Sequence, residues 1–282
     1  MKKVLLTASA LSLLAGAAAA EVTVGGDARF GVAYNSGTGD TTVHQRYRVR
    51  FNASTETDGG LTFGAGVQLD SRNDHGAVTG AGRGSTLNPN ITVSGNGFDF
   101  VLGDANGAVV DTVGLWAGGL GFDGTVGRPA IVGGFDTDEA LDQQTVKFGY
   151  SFGDFSVALS TNIGASADQD IEIAGAYSAN GIRVAVGADD AGNYAVSGSY
   201  AAGDYKVGAI YADAGAAVYR VYGTYSFGAT TVGLNVTDAN GANIAFGIGA
   251  SHNLGGGVVA HGAAGRDTAG DTVVQVGMTM GF

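Results

Sequence analysis

The chain has 282 residues, 45% of them hydrophobic and only 14% charged, with a net charge of −12. That acidity excludes a general nucleic-acid binder, which needs a basic face, and the absence of cysteine excludes a disulfide-stapled fold. Fifty-one glycines against two prolines exclude long helices, and their irregular spacing excludes a collagen repeat.

Residues 1–20 open with Lys2 and Lys3, run apolar from Val4 to about Ala15, and end in Ala18, Ala19 and Ala20. This is the layout of a secretory signal peptide with a small-residue cleavage site. The run is short for a membrane anchor. The mature chain expected from Glu21 onward has 262 residues, with 12 basic and 26 acidic side chains, a net charge of −14. Ten of the basic residues are arginines, and five of those lie between Arg29 and Arg72. No later stretch approaches the ~20 consecutive apolar residues of a spanning helix.

From residue 22 the pattern is alternation, in a background rich in Val, Phe, Tyr and Thr, which reads as all-β. In "VTVGGDARFGVAY", Val22, Val24, Ala28, Phe30, Val32 and Tyr34 share one face, and Thr23, Asp27 and Arg29 the other. The stretch "RYRVRF" puts Arg46, Arg48 and Arg50 on one face of a strand and Tyr47, Val49 and Phe51 on the other. In "LTFGAGVQLDSR", Leu61, Phe63, Ala65, Val67 and Leu69 oppose Thr62, Gln68, Asp70 and Arg72. The pattern recurs in "TVKFGY", "IEIAGAY", "YKVGAIY" and "YRVYGTYSF", and closes in "TVVQVGMTMGF".

Sixteen strands are predicted, near 22–35, 43–54, 60–72, 87–95, 98–103, 144–151, 154–161, 170–179, 182–188, 193–201, 204–212, 218–227, 230–236, 243–252, 256–264 and 272–282. Short turn signals such as Asn96-Gly97 and Asn180-Gly181, which favour tight type I′ hairpins, alternate with longer polar connections. This is an up-and-down meander with unequal ends. One connection breaks the scheme: residues 104–143, too long for a compact domain without a purpose.

A soluble β-sandwich also alternates. An even number of meandering strands, no helices to cover a face, and aromatic residues where the apolar faces end favour a transmembrane barrel. A charge on the lipid face costs roughly 2–4 kcal/mol at the midplane, so Arg46, Arg48 and Arg50 point into the lumen with His44 and Asn52. By the same parity Arg29 and Arg72 point inward, and the five arginines form one patch on one wall. Such a row of like charges needs a counter-charge or a purpose. Lys147, Glu172, Arg183, Lys206 and Arg220 are scattered singly and read as charges that keep the lumen wet.

Enzymatic chemistry has no footing in this pattern. His44, His75, His252 and His261 are scattered and sit in no catalytic motif. "FDTDEALD" at 135–142 offers Asp136, Asp138 and Glu139 as a candidate Ca²⁺ site, without the glycine or spacing of an EF-hand. "GAGRG" at 80–84 lacks the Lys-Ser/Thr of a phosphate loop.

The stretches "TETDGGLTFGAGVQL" at 55–69, "SFGATTVGLNV" at 226–236 and "AFGIGASHNL" at 245–254, with the terminal Phe282, resemble the general diffusion porins of Gram-negative outer membranes, of the alphaproteobacterial, Rhodobacter-like type. The resemblance covers the whole mature length. It implies an all-β, sixteen-stranded antiparallel transmembrane barrel whose third loop, 104–143, folds into the pore. It implies passive diffusion of small hydrophilic solutes and ions through a water-filled channel, and no required cofactor. "VVDTVGLW" and "GFDG" resemble the constriction loop of such porins and make Asp111 and Asp123 candidate acidic residues facing the arginine wall, with Asp104 beside them. A homotrimer in outer-membrane lipid and lipopolysaccharide is implied, as is recognition of Phe282 by barrel-assembly machinery. A substrate-specific channel and a non-conducting structural or adhesive barrel are the alternatives on this scaffold. Trp116, the only tryptophan, makes no aromatic track for sugars.

Overall fold

The computed structural model describes residues 20–73, 84–129, 135, 144–163 and 171–282. The expected signal peptide, the "GAGRG" stretch up to Arg83, and Asp136, Asp138 and Glu139 lie outside the described residues. Sixteen antiparallel strands follow one another: β1 (Glu21–Asn35), β2 (Asp40–Glu56), β3 (Thr62–Asn73), β4 (Gly84–Gly95), β5 (Phe98–Gly103), β6 (Gln144–Phe152), β7 (Phe155–Ile163) and β8 (Ile171–Ala179). The second half comprises β9 (Ile182–Asp189), β10 (Tyr194–Ala202), β11 (Tyr205–Asp213), β12 (Ala217–Phe227), β13 (Thr230–Ala239), β14 (Ala245–Gly255), β15 (Val258–Arg266) and β16 (Thr272–Gly281). Each strand pairs with the next, and β16 returns to β1, so the sheet closes. The closing register runs from Asp27 opposite Gly281 to Asn35 opposite Val273. All sixteen predicted strands are present, none with a boundary more than three residues from expectation.

Turn chemistry explains the tight hairpins. Asn96 and Asn180 both adopt φ of 51°, and the following Gly97 and Gly181 adopt 86° and 78°. Two successive left-handed residues make the type I′ turn whose twist matches paired strands.

Strand parity turns the molecule inside out. Val24, Phe30 and Tyr205 are 62%, 49% and 61% exposed on the outer wall, whereas Arg220, Glu172 and His44 are almost wholly buried inside. Outward rings stack into belts at the two rims. At the short-turn rim, Tyr150, Phe152, Phe155 and Tyr177 follow one another at centroid spacings of 5.9, 5.7 and 5.0 Å, and Tyr205 stacks on Tyr225 at 4.5 Å. At the long-loop rim, Tyr194, Tyr211 and Tyr219 do the same at 5.7 and 4.8 Å. Amphipathic rings at both interfaces are the girdles of a membrane barrel.

The segment between β5 and β6 enters the barrel and supplies its core. A single π-helical turn, Val110–Gly114, lies against β8, β9 and β10. Val109, Val110, Val113 and Leu115 pack there with inward Ala176, Ala185, Ala195, Ile210 and Tyr222. The segment's backbone is then tied to the wall almost strand by strand. Ser160 of β7 accepts the Ala108 N–H at 2.7 Å, and Glu172 of β8 accepts that of Val109 at 2.8 Å. Arg183 of β9 donates to the Thr112 carbonyl at 2.7 Å, and Ser197 of β10 to that of Val113 at 2.7 Å. On β13, Asn235 donates to the carbonyls of Gly118 and Val126, and Thr237 to that of Gly127. Gln275 of β16 reaches Thr125 at 2.9 Å.

Arg220 of β12 is the centre of this strap. It is 0% exposed and donates to the carbonyls of Leu115 (3.0 Å), Ala117 (3.2 Å) and Pro129 (2.5 Å), and to Thr237 Oγ1 (3.1 Å). Glu172, Arg183 and Arg220 therefore depart from the reading of them as wetting charges. Carbonyls inside a barrel need donors, and wall side chains provide them. Hydrogen bonds to a charged group contribute about 1.5–3 kcal/mol each. Arg220→Ala is expected to free residues 115–129, giving larger and noisier single-channel currents and new protease cuts in that segment, with strand content unchanged by circular dichroism. Currents and digestion pattern identical to wild type would show that Arg220 is not the strap.

Candidate functional site

Register decides how charges meet on the β1–β3 wall. Arg46 stands opposite Arg29 on one side and Arg72 on the other, one row of three arginines. In the adjacent row Arg48 stands between Asp27 and Asp70, and in the next Arg50 stands between Gly25 and Gln68. Neighbouring strands lie ~4.8 Å apart, so carboxylates of one row reach guanidiniums of the rows beside them.

They do so as ion pairs. Both Arg46 Nε and Nη2 reach the Asp70 carboxylate, with Nε 3.1 and 2.9 Å from its oxygens. This pair is sheltered, its side chains 17% and 4% exposed. Asp27 bridges the other two arginines: Arg48 Nε lies 3.1 Å from one of its oxygens, and Arg50 Nη2 lies 2.7 Å from the other. Arg50 Nε also donates to Gln68 Oε1 at 2.8 Å. This trio is wetter, with side-chain exposures of 27% for Arg48, 38% for Arg50 and 31% for Asp27.

Arg48 and Arg50 line a recess of about 220 Å³ with Asn52, Gln68, Asn90 and Asp104. Gly66 keeps it open: a β-carbon there would lie 2.7 Å from Asn90 Oδ1 and 2.9 Å from Asn52 Oδ1. Asp104 leaves β5 at the root of the inserted loop, its N–H bonded to the Pro89 carbonyl at 2.9 Å. It lines the same recess as Arg48 and Arg50.

The other two predicted loop acids have different neighbours. Asp111 pairs with Lys147 of β6 and accepts from Asn106 at 2.9 Å. Asp123 accepts from the Thr125 N–H and hydroxyl at 3.0 and 2.7 Å. It lies 3.9 Å from His44 Nδ1, while neighbouring Phe122 meets the His44 ring edge-on at 5.4 Å. The loop tip thus reaches β2 at His44, two residues from Arg46. Behind it, the Arg128 guanidinium lies 4.9 Å over the Trp116 ring. Burial draws Arg128 below the ordinary arginine pKa, and the Asp123 charge opposes that shift. Backbone pairing puts Arg29 and Arg72 in the row of Arg46. Among the described residues no cluster of three His, Asp or Glu side chains is arranged for a metal ion.

Asp27 and Asp70 are the residues that sequence reasoning passed over as counter-charges. Their inward parity was legible. Their pairing required the register of β1 and β3 against β2.

The chain matches the Gram-negative porin family over residues 7–272. It is 30% identical over 315 residues to a porin of Rhodobacter capsulatus and 29% identical over 290 residues to a porin of Fuscovulum blasticum. Each alignment covers 93% of this chain and 100% of the relative. Solved structures of engineered variants of the Rh. blastica porin share the fold. One superposes with a TM-score of 0.81 at 24% identity and another with 0.78 at 25%, each over 93% of this chain and 100% of the other. The chain belongs to the Gram-negative porin family, and it is an outer-membrane channel for passive diffusion of small hydrophilic solutes and ions rather than an enzyme.

Proposed function

We propose that solutes cross at the gap between the β1–β3 wall and the root of the inserted loop, where Arg48 and Arg50 meet Asp104. The exposure of Arg48 and Arg50 beside Asp104, in a recess whose other polar lining is amide, carries this reading. Charges in a narrow aqueous slot between low-dielectric walls act on passing ions with little screening by bulk water. Loop 104–143 sets the size limit, and the wall sets charge preference. Arg46 with Asp70 serves mainly to hold the wall, with Arg29 and Arg72 beside them. Asp111 and Asp123 anchor the loop, through Lys147 and His44. A general pore is favoured over a sugar-specific one, because Trp116 stacks against Arg128 and the inward Tyr222 is buried under the loop.

Export by residues 1–20 and a homotrimer in lipopolysaccharide-bearing membrane complete the reading. The aromatic stacks seen among the described residues on the outer wall run between β5 and β12. The arc from β14 through β16 to β4 is then free to meet other subunits, with Phe30, Val32, Phe63, Val67, Met278 and Met280 as contacts. Phe282, 63% exposed at the rim, suits capture by assembly machinery. Ca²⁺ at Asp136, Asp138 and Glu139 would bridge carboxylates of the loop.

Two outcomes test this. In a KCl gradient, Arg48→Gln with Arg50→Gln is expected to move the reversal potential toward cation preference. Arg46→Gln is expected instead to lower stability, by on the order of 3 kcal/mol for a sheltered pair broken on one side. An unmoved reversal potential in the double variant would show that these side chains do not face the path. Second, detergent-extracted protein is expected to sediment as a trimer, and Met278→Lys with Met280→Lys as a monomer. A wild-type monomer would remove the subunit-contact assignment.

A further inference from the structure

Five arginines on one wall suggest an anion-preferring pore, but the ion pairs divide that wall. Asp70 cancels Arg46 in a sheltered pair. The wetter ion-paired charge on this wall is the trio of Asp27, Arg48 and Arg50. We propose that Asp27 tunes the ion preference of this channel, by cancelling one of the two positive charges of Arg48 and Arg50. This deepens the reading above and rests on it.

Three observations carry the assignment. One carboxylate touches both arginines, one oxygen to each, at 3.1 and 2.7 Å, so it cannot be credited to either alone. It comes from β1, on the wall itself, rather than from the inserted loop. Its cancellation therefore persists whatever the loop does. And at 31% exposure it is wet, unlike Asp70 at 4%, so permeating ions meet its charge directly. With Asp27 ionised, the trio has one positive charge in excess, and Arg48 and Arg50 share their recess with Asp104. Removing the Asp27 charge leaves two adjacent guanidiniums 2 residues apart on one strand face, with Gln68 as an uncharged partner to Arg50.

The experiment is a charge-compensation cycle read as reversal potential in a KCl gradient. Asp27→Asn is expected to raise the chloride-to-potassium permeability ratio by about 16-fold, because one unit charge about 5 Å from the ion in water-like surroundings shifts each ion about fourfold and in opposite directions. Arg50→Gln is expected to lower it by a similar factor. The double variant Asp27→Asn/Arg50→Gln restores the charge count and is expected to return to the wild-type ratio. Both single shifts should shrink in 1 M salt, where the Debye length is about 3 Å; a merely structural effect on pore width would not. Asp27→Glu should keep the wild-type ratio. Should Asp27→Asn insert poorly, the Arg50→Gln and double variants still compare the same charge. If Arg50→Gln shifts the ratio and the double variant matches it, Asp27 does not act on ions and the inference falls while the wall reading stands. If Arg48→Gln and Arg50→Gln also leave the ratio unchanged, the wall reading falls with it.

Discussion

Everything in this molecule follows from one constraint: within lipid, each backbone N–H and C=O must be satisfied by another backbone group. A meandering sheet meets it only by returning to its first strand, as β16 does to β1. Closure abolishes sheet edges. It also assigns every other side chain to oil and the rest to water. The outer wall can then be apolar because nothing polar is left there to hydrate, and the inner wall must be polar because it encloses solvent.

That inversion moves the packed core into the lumen. In a soluble domain the buried side chains are aliphatic and the loops lie outside. Here, among the described residues, the largest fully buried side chain is Arg220, and the long connection is the inner layer. The inserted segment brings two surfaces. Its apolar residues, Val109 to Leu115, cover small inward residues of β8 to β11. Its carbonyls and N–H groups, deprived of water, are met by side chains of the wall from Ser160 to Gln275. A chain without cysteine is held together by closure and by this inner lining.

Electrostatics on the β1–β3 wall obey the same register. Arg29 and Arg46, directly opposite on adjacent strands, would repel between low-dielectric walls. The row beside them, Asp27–Arg48–Asp70, offsets that repulsion. Burial then separates the pairs by role. The sheltered Arg46–Asp70 contact stiffens the wall, and the wetter contacts of Asp27 leave charge within reach of solutes. Loop acids take part unequally: Asp104 lines the recess of Arg48 and Arg50, while Lys147 and His44 engage Asp111 and Asp123.

Strand number, the inward or outward face of each residue, and the tight Asn-Gly turns were all legible in the amino-acid order, because they depend on period-two alternation and on residues adjacent in the chain. So was the inward set Arg46, Arg48 and Arg50, since a charge on the lipid face is prohibitive at any register. Partnership was not legible. Arg220 looks like any isolated lumen charge until the loop a hundred residues earlier folds over it, and Asp27 looks like a polar filler until β1 and β2 pair. Alternation tells each side chain which solvent it faces; only the closed register and the inserted loop decide which groups lie within hydrogen-bond distance, because those contacts join positions that local sequence does not connect.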